Sequence, residues 1–308
     1  MNQTILKRLD AAITSTLIGH SEDPDCNVGA SICILHRGEE VYRKEYGEAD
    51  KEKHHPMKPD TIFRCYSMTK PITSVAVMTL VEKGALALSD PASKYLPGFK
   101  DQKVYTDQGL VPANREVTIQ DLLDMTAGVV YPDASFPAGA IMDKIQADFY
   151  DKIAKGEPTP STYELANIIG QQPLAFQPGE RWLYGFCADV LGAIVEVVSG
   201  KRYITYLKET IFEPLGMTDT DFYVPEQKQD RFMQFYQYMP ETQTLDPCTW
   251  QHLCLSHMHL KQPSFESGGA GLVSTLSDYA KFAQMMLNKG TCPHFGTQNS
   301  RMDDTESS

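Results

Sequence analysis

Apolar residues recur at helical spacing in several stretches of the chain and alternate at strand spacing in one region near its beginning. Ile5, Leu9, Ile13 and Leu17 return every four residues and predict an amphipathic first helix. In "VGASICILHRGEEVYRKEYGEAD" (28–50), Ile32 and Ile34 precede an Arg37-Gly38-Glu39 turn, and Val41, Tyr42 and Tyr46 follow it. Branched and aromatic residues around a glycine turn predict a pair of strands. From Ser67 to Lys83 the residues are nearly all helix-compatible. Ile72, Val75, Val77, Met78, Leu80 and Val81 leave little polar face, so this helix should be buried and should stop at Gly84. Pro71 fits only near its first turn, where no intrahelical N–H is lost. That places Ser67 at or beside the helix N-terminus.

Further helices are expected after Thr118, which can cap with Asp121 at the third position and Gly128 at the end. Another follows a turn at Pro178-Gly179 and runs from Ala188 to Val198, closed by Gly200. "YITYLKETIFEPLG" predicts a helix ending near Pro214, and 274–289 a well-patterned one capped by Ser274 or Ser277. The region 131–165, rich in Pro, Ala, Asp and Gly, reads as loops with a weak helix, and 223–265 as irregular. Residues 291–308 hold no Leu, Ile or Val and read as a disordered tail.

A composition 42% hydrophobic and 22% charged over 308 residues supplies a sizeable core. The net charge of −12 and the scatter of Lys and Arg exclude a phosphate-tracking surface, so no nucleic-acid partner is expected. No stretch approaches the ~20 apolar residues of a membrane span, and the N-terminus lacks a signal-peptide core. The cysteines at 26, 33, 65, 187, 248, 254 and 292 are odd in number and dispersed, which fits free thiols. A cytoplasmic location follows as an expectation.

Chemistry enters at "CYSMTKPIT" (65–73). A serine hydroxyl needs a neighbouring base to become a nucleophile. Residues three apart on a helix share a face, so Lys70 can set its amine beside the Ser67 oxygen. Burial favours a neutral amine, and a helix N-terminus favours a developing oxyanion. S-x-x-K alone is expected about once by chance in a chain of this composition. By itself it favours a helix-opening serine and a solvated lysine, by roughly nine to one.

The surrounding residues change that balance. Phe63, Ser67, Lys70 and Thr73 are followed by Gly84, Leu88, Asp90, Pro91, Tyr95, Leu96 and Pro97. Thr118-Ile119, Leu122-Leu123, Thr126 and Gly128 form a second phrase, and Pro178, Gly179, Tyr184, Leu191 and Gly192 a third. Gly268-Gly269, Gly271-Leu272, Ser274-Thr275, Asp278 and Phe282 form a fourth. In this order, across about residues 28–290, they resemble the serine β-lactamase-related hydrolases. The resemblance is especially to the class C-like branch that includes family VIII carboxylesterases, and the family also has penicillin-binding-protein-like members.

The resemblance implies an α/β (α+β) fold, an antiparallel sheet flanked by helices with a large helical lobe over about 95–260. Residues 1–290 would form one domain. It also implies an acyl-enzyme hydrolase in which Ser67 attacks a carbonyl, Lys70 accepts its proton and Tyr184 assists the leaving group. No cofactor and no metal are implied. The partner would be a small-molecule ester or β-lactam-like substrate, with the oligomeric state left open. Trp182 reads as packing.

Two departures shape the expectation. Where the family commonly has Y-x-N, this chain has Phe186, which removes an amide contact and tilts the reading toward carboxylic esters. The family's third motif (K-T-G, H-x-G or W-x-G) has no counterpart on an apolar strand. "KGT" at 289–291 is in the wrong order, and "HFG" at 294–296 lacks strand context. The chain therefore reads as C-terminally truncated, with an open sheet edge and weak or absent turnover, since one oxyanion donor is worth ~10²–10³ in rate. A β-lactamase or D-Ala-D-Ala carboxypeptidase is the alternative enzyme, and an inactive remnant or binding protein the alternative class. Elsewhere, Cys248, His252, Cys254, His257 and His259 are zinc-capable types, but their spacing matches no ligand pairing and reads as a loop near the site. Cys65 reads as a small apolar residue.

Overall fold

A computed structural model describes residues 3–16, 27–248, 251–255 and 259–291. The first helix, α1 (Gln3–Thr16), turns Ile13 into the protein with Leu6 and Leu9 half-buried beside it, whereas Ile5 is exposed. The buried stripe is thus shifted by one residue from a strict four-residue repeat, as a 3.6-residue period requires. Leu17 lies outside the described residues. The strands β1 (Gly29–His36) and β2 (Glu39–Asp50) pair antiparallel across the predicted turn, and β3 (His55–Pro56) continues the sheet. Among the described residues β1 lies at the end of this sheet. The polar face of α1 is tied to it through Asp10, which accepts from Lys44 and Tyr46.

A short strand, β4 (Ile62–Arg64), leads through a 3-10 turn at Tyr66–Met68 into α2 (Thr69–Glu82). As the sequence predicted, α2 is central. Ile72, Thr73, Ala76, Val77 and Leu80 are buried, although Met78 reaches solvent. Beyond it, β5 (Lys103–Thr106) and β6 (Gly109–Pro112) form a hairpin that periodicity did not predict. The capped helix at Thr118 is α3 (Ile119–Leu123). Its capping box with Asp121 is present, but it ends well before Gly128.

The region 131–165 is a correction. Instead of loops with a weak helix it holds α4 (Pro137–Lys155), a helix of 19 residues, and the start of α5 (Thr162–Gly170). The inward positions of α4 include Ala138, Gly139 and Met142, so its apolar stripe is built partly of small residues that carry little periodic signal. A Ser161–Glu164 capping box opens α5.

The predicted buried helix is α6 (Cys187–Ser199), ended by Gly200 at φ +67°, where a left-handed residue closes the last turn. Helix α7 (Tyr203–Leu207) runs through a π-helical segment at Lys208–Phe212 into α8 (Glu213–Leu215). Within the stretch read as irregular, β7 (Tyr236–Met239) and β8 (Thr244–Pro247) pair as a hairpin. The chain returns along β9 (Val273–Thr275), antiparallel to β4, into α9 (Leu276–Leu287). The cap of α9 is Thr275, not Ser274 or Ser277. Ser274 lies in β9, 2.7 Å from the Thr220 hydroxyl, while the Thr275 side chain accepts from the Asp278 N–H.

Ile72, Ala76, Leu122, Ile169, Val190, Leu191, Ile194 and Tyr203 share one core among α2, α3, α5, α6 and α7. The expected tail, 291–308, lies outside the described residues apart from Thr291. Among the described residues, no helix is long and apolar enough to cross a membrane.

Candidate active site

Ser67 sits in the 3-10 turn, one residue after Tyr66, whose φ is +45°. A left-handed conformation at a non-glycine residue costs of order 1–3 kcal/mol. It is over-determined here. The Cys65 N–H donates to the Leu272 carbonyl at 2.8 Å, the Met68 N–H to Cys65 at 3.0 Å, and Tyr279 donates to the Met68 carbonyl at 2.9 Å. The result is an exposed Ser67 hydroxyl above a buried Lys70.

Lys70 donates to Ser67 Oγ at 3.2 Å, to the Tyr131 hydroxyl at 3.0 Å and to the Gly269 carbonyl at 2.7 Å. In the ammonium form these three acceptors take all three protons; as the neutral amine Lys70 keeps two such bonds and can turn its lone pair to Ser67 Oγ. Its Nζ also lies 4.5 Å from the centre of the Tyr184 ring. Burial pushes the Tyr184 phenol pKa up, but hydrogen bonds with Lys70 and Ser67 and the Lys70 charge outweigh it, so the net shift is downward. Burial drives the Tyr131 phenol strongly upward, which keeps it a neutral hydroxyl. The structure therefore brings all three sequence-predicted residues, Ser67, Lys70 and Tyr184, together.

Tyr184 and Tyr131 are placed by two chain segments locked against each other. The Leu183 N–H donates to the Met125 carbonyl at 3.0 Å, and Gly185 lies so close to Val129 that an added Cβ would sit 2.1 Å from its carbonyl oxygen. Tyr131 packs edge-on against Tyr184 (5.6 Å between centroids) and Phe186 (4.8 Å). Phe186 is buried and supports the hydroxyl that accepts from Lys70, a role its reading as a lost amide contact did not anticipate. Trp182 corrects a second expectation. It is 61% exposed, so it is not core packing, and its ring stands 6.1 Å from that of Tyr184 at the rim.

The cysteine and histidine loop divides. His252 stacks on Tyr66 at 6.3 Å, next to the site, while His259 is buried with Nε2 3.2 Å from the Gly271 carbonyl. Cys248 and Cys254 are buried, and His257 lies outside the described residues. No cluster of three or more metal-capable side chains exists among the described residues. The Cys65 thiol is buried and pushed up to about 12, so it is not a competing thiolate.

The beta-lactamase family profile matches residues 22–303. The chain belongs to the beta-lactamase family. Among relatives, a Mycobacterium tuberculosis protein is 34% identical over 268 residues, covering 85% of this chain. This chain spans only 63% of that relative's length. Esterase EstB of Burkholderia gladioli is 31% identical over 287 residues, with 90% of this chain and 70% of the esterase covered. Among solved structures, that of EstCE1, described as a hydrolase with promiscuous acyltransferase activity, superposes with a TM-score of 0.75 at 25% identity. It covers 94% of this chain and 74% of EstCE1. These matches establish the β-lactamase/transpeptidase-like fold that the four sequence phrases implied.

Two residues of the candidate site were not read from the sequence. Tyr131 follows the Thr126–Gly128 phrase closely enough that a polar aromatic there was a usable signal. Asp189, in the first turn of α6, carried none. Only the packing of α6 on the Gly268-Gly269 segment brings its carboxylate under the site.

Proposed function

We propose that the chain is a serine hydrolase that forms an acyl-enzyme on Ser67, directed at carboxylic esters. The observation that carries this reading is the buried Lys70 amine 3.2 Å from Ser67 Oγ, with the centre of the Tyr184 ring 4.5 Å from the same nitrogen. Ser67 Oγ attacks the ester carbonyl carbon. Its proton passes to Lys70 in the neutral amine form, which becomes the ammonium, and the new C–O bond gives a tetrahedral oxyanion. Collapse breaks the bond to the alkoxide, which leaves as the alcohol with a proton delivered through Tyr184. Water then adds to the acyl carbon by the reverse relay and frees Ser67 and the carboxylic acid.

Ester rather than β-lactam preference is supported by Phe186 in place of a substrate-contacting Asn and by the names of the relatives EstB and lovastatin esterase. A β-lactamase or carboxypeptidase reading has one observation in its favour. Penicillin-binding protein 4* of Bacillus subtilis is 31% identical over 189 residues, 36% of its length.

The test is intact mass after exposure to a serine-directed fluorophosphonate, for the wild type and Ser67→Ala. An adduct on the wild type alone is expected, followed by turnover of short-chain aryl esters faster than any penicillin. No adduct on a folded sample would sink the hydrolase reading in favour of a non-catalytic role.

A further inference from the structure

Asp189 is buried in the apolar helix α6, a costly position for a carboxylate, and two donors meet its Oδ1. Ser67 and Lys70 do not touch it directly. The Ser267 hydroxyl donates to Asp189 Oδ1 at 2.5 Å, and the Gly269 N–H donates to the same oxygen at 3.1 Å. Ser267 Oγ in turn accepts from the Ala270 N–H at 3.0 Å. The peptide that follows Gly269 offers its carbonyl to Lys70 at 2.7 Å, the shortest of the three bonds that hold the amine.

The fit leaves no slack. A Cβ on Gly269 would lie 2.4 Å from Asp189 Oδ2, and one on Gly268 would lie 2.3 Å from the Ala188 carbonyl oxygen. From the other side, Thr73 donates to the Gly268 carbonyl at 2.6 Å. The glycine pair is therefore threaded between α2 and α6, and Asp189 sets its position. The ionisable groups that share the field of Asp189 are Lys70 from α2, Tyr131 and Tyr184 of the site, Tyr203 from α7, Cys187 on its own helix and Cys254.

We propose that Asp189 is a positioning residue for the nucleophile's base: through Ser267 and the Gly269 amide it fixes the Gly269 carbonyl that holds Lys70 Nζ within reach of Ser67. The inference rests on the acyl-enzyme reading above and names a further determinant of that site. A base displaced by about 1 Å can cost ~10²-fold in rate, so the position of this carbonyl matters to the chemistry as well as to the fold.

Two readouts on the full chain test it. One is the second-order rate of fluorophosphonate labelling at Ser67. The other is the ¹H–¹⁵N signal of the Lys70 ammonium in protein carrying ¹⁵Nζ-lysine, assigned by its loss in Lys70→Ala. Asp189→Ala is expected to erase the ammonium signal and lower labelling by ~10²-fold in the folded fraction. Asp189→Asn keeps an oxygen acceptor for Ser267 and Gly269 and should retain the signal, with labelling within about tenfold of wild type. Glu266→Gln perturbs the same segment near its other end, where Glu266 accepts from the Ile204 N–H at 2.8 Å, and should leave both readouts in place.

If Asp189→Ala does not fold, Gly269→Ala pushes the carbonyl away with the carboxylate intact and must show the same two losses. Retention of the ammonium signal in Asp189→Ala or Gly269→Ala overturns the proposal. So does equal loss in Glu266→Gln, or absence of the signal from the wild type. A wild type that never labels but whose ammonium signal follows the expected pattern would refute the hydrolase reading while leaving the positioning role standing.

Discussion

Lys70 shows how a residue's chemistry depends on neighbours remote in the chain. Its three acceptors come from position 67, position 131 and position 269, and only the first is within a helical turn. The serine–lysine spacing was legible because a helix imposes it. Tyr184 was legible through its phrase, and its depressed pKa follows from its closeness to the other two residues. Removing that hydroxyl while keeping the ring, as in Tyr184→Phe, is expected to slow acylation of Ser67 by 10²–10⁴-fold, the usual range for a lost proton-transfer group, as measured by pre-steady-state release of an aryl alcohol.

Glu266 illustrates a different residue-scale effect. Its side chain is 1% exposed and burial pushes its pKa up to about 7, although it accepts from the Ile204 N–H and pairs with Arg202. Burial wins because the guanidinium partner is 49% exposed and its charge is screened by water. A folded-state pKa above the unfolded value means that the native state binds the proton more tightly. The associated stability is complete below about 4.5 and is lost as pH rises to about 7. Denaturant unfolding of the wild type should therefore weaken across that window, and Glu266→Gln should flatten this part of the profile. An unchanged slope in the variant would assign it to other groups.

At the scale of elements, the well-read helices were those with both a strong apolar period and a capping signal. For α2 and α6 the core-facing positions are bulky and the end glycines are clear. The miss at α4 has a physical cause. Ala138 and Gly139 pack closely enough that a Cβ on Gly139 would sit 2.3 Å from the Asp133 carbonyl oxygen. A helix held by close approach of small residues buries its face without displaying an apolar stripe. Helix α5 depends more on local chemistry, since Ser161 accepts from the Glu164 N–H while the Glu164 carboxylate accepts from the Ser161 N–H at 2.8 Å. Ser161→Ala should cost about 1 kcal/mol, visible as a lower urea midpoint with an unchanged m-value.

At the scale of the whole molecule, the order of the four sequence phrases already implied the family fold, because each phrase solves a local problem. They supply a serine-bearing turn, a capped helix, a polar aromatic before a buried helix, and a glycine thread. What no local pattern could supply was the meeting of the third and fourth. The Lys70–Gly269 bond closes a separation of 199 residues, and the Asp189–Gly269 bond one of 80. By itself the sequence determined the family and the helix that carries Ser67 and Lys70, and it marked Tyr184 as a candidate, since spacing along one helix and short motifs are properties of neighbouring residues. Only the tertiary structure decided that Tyr131 and the Gly269 carbonyl complete the lysine's shell, that Phe186 props Tyr131, that Trp182 faces solvent and that Asp189 lies beneath the glycine thread. Those outcomes depend on which surfaces of distant segments pack together, and packing is settled by the shape and polarity of the whole core.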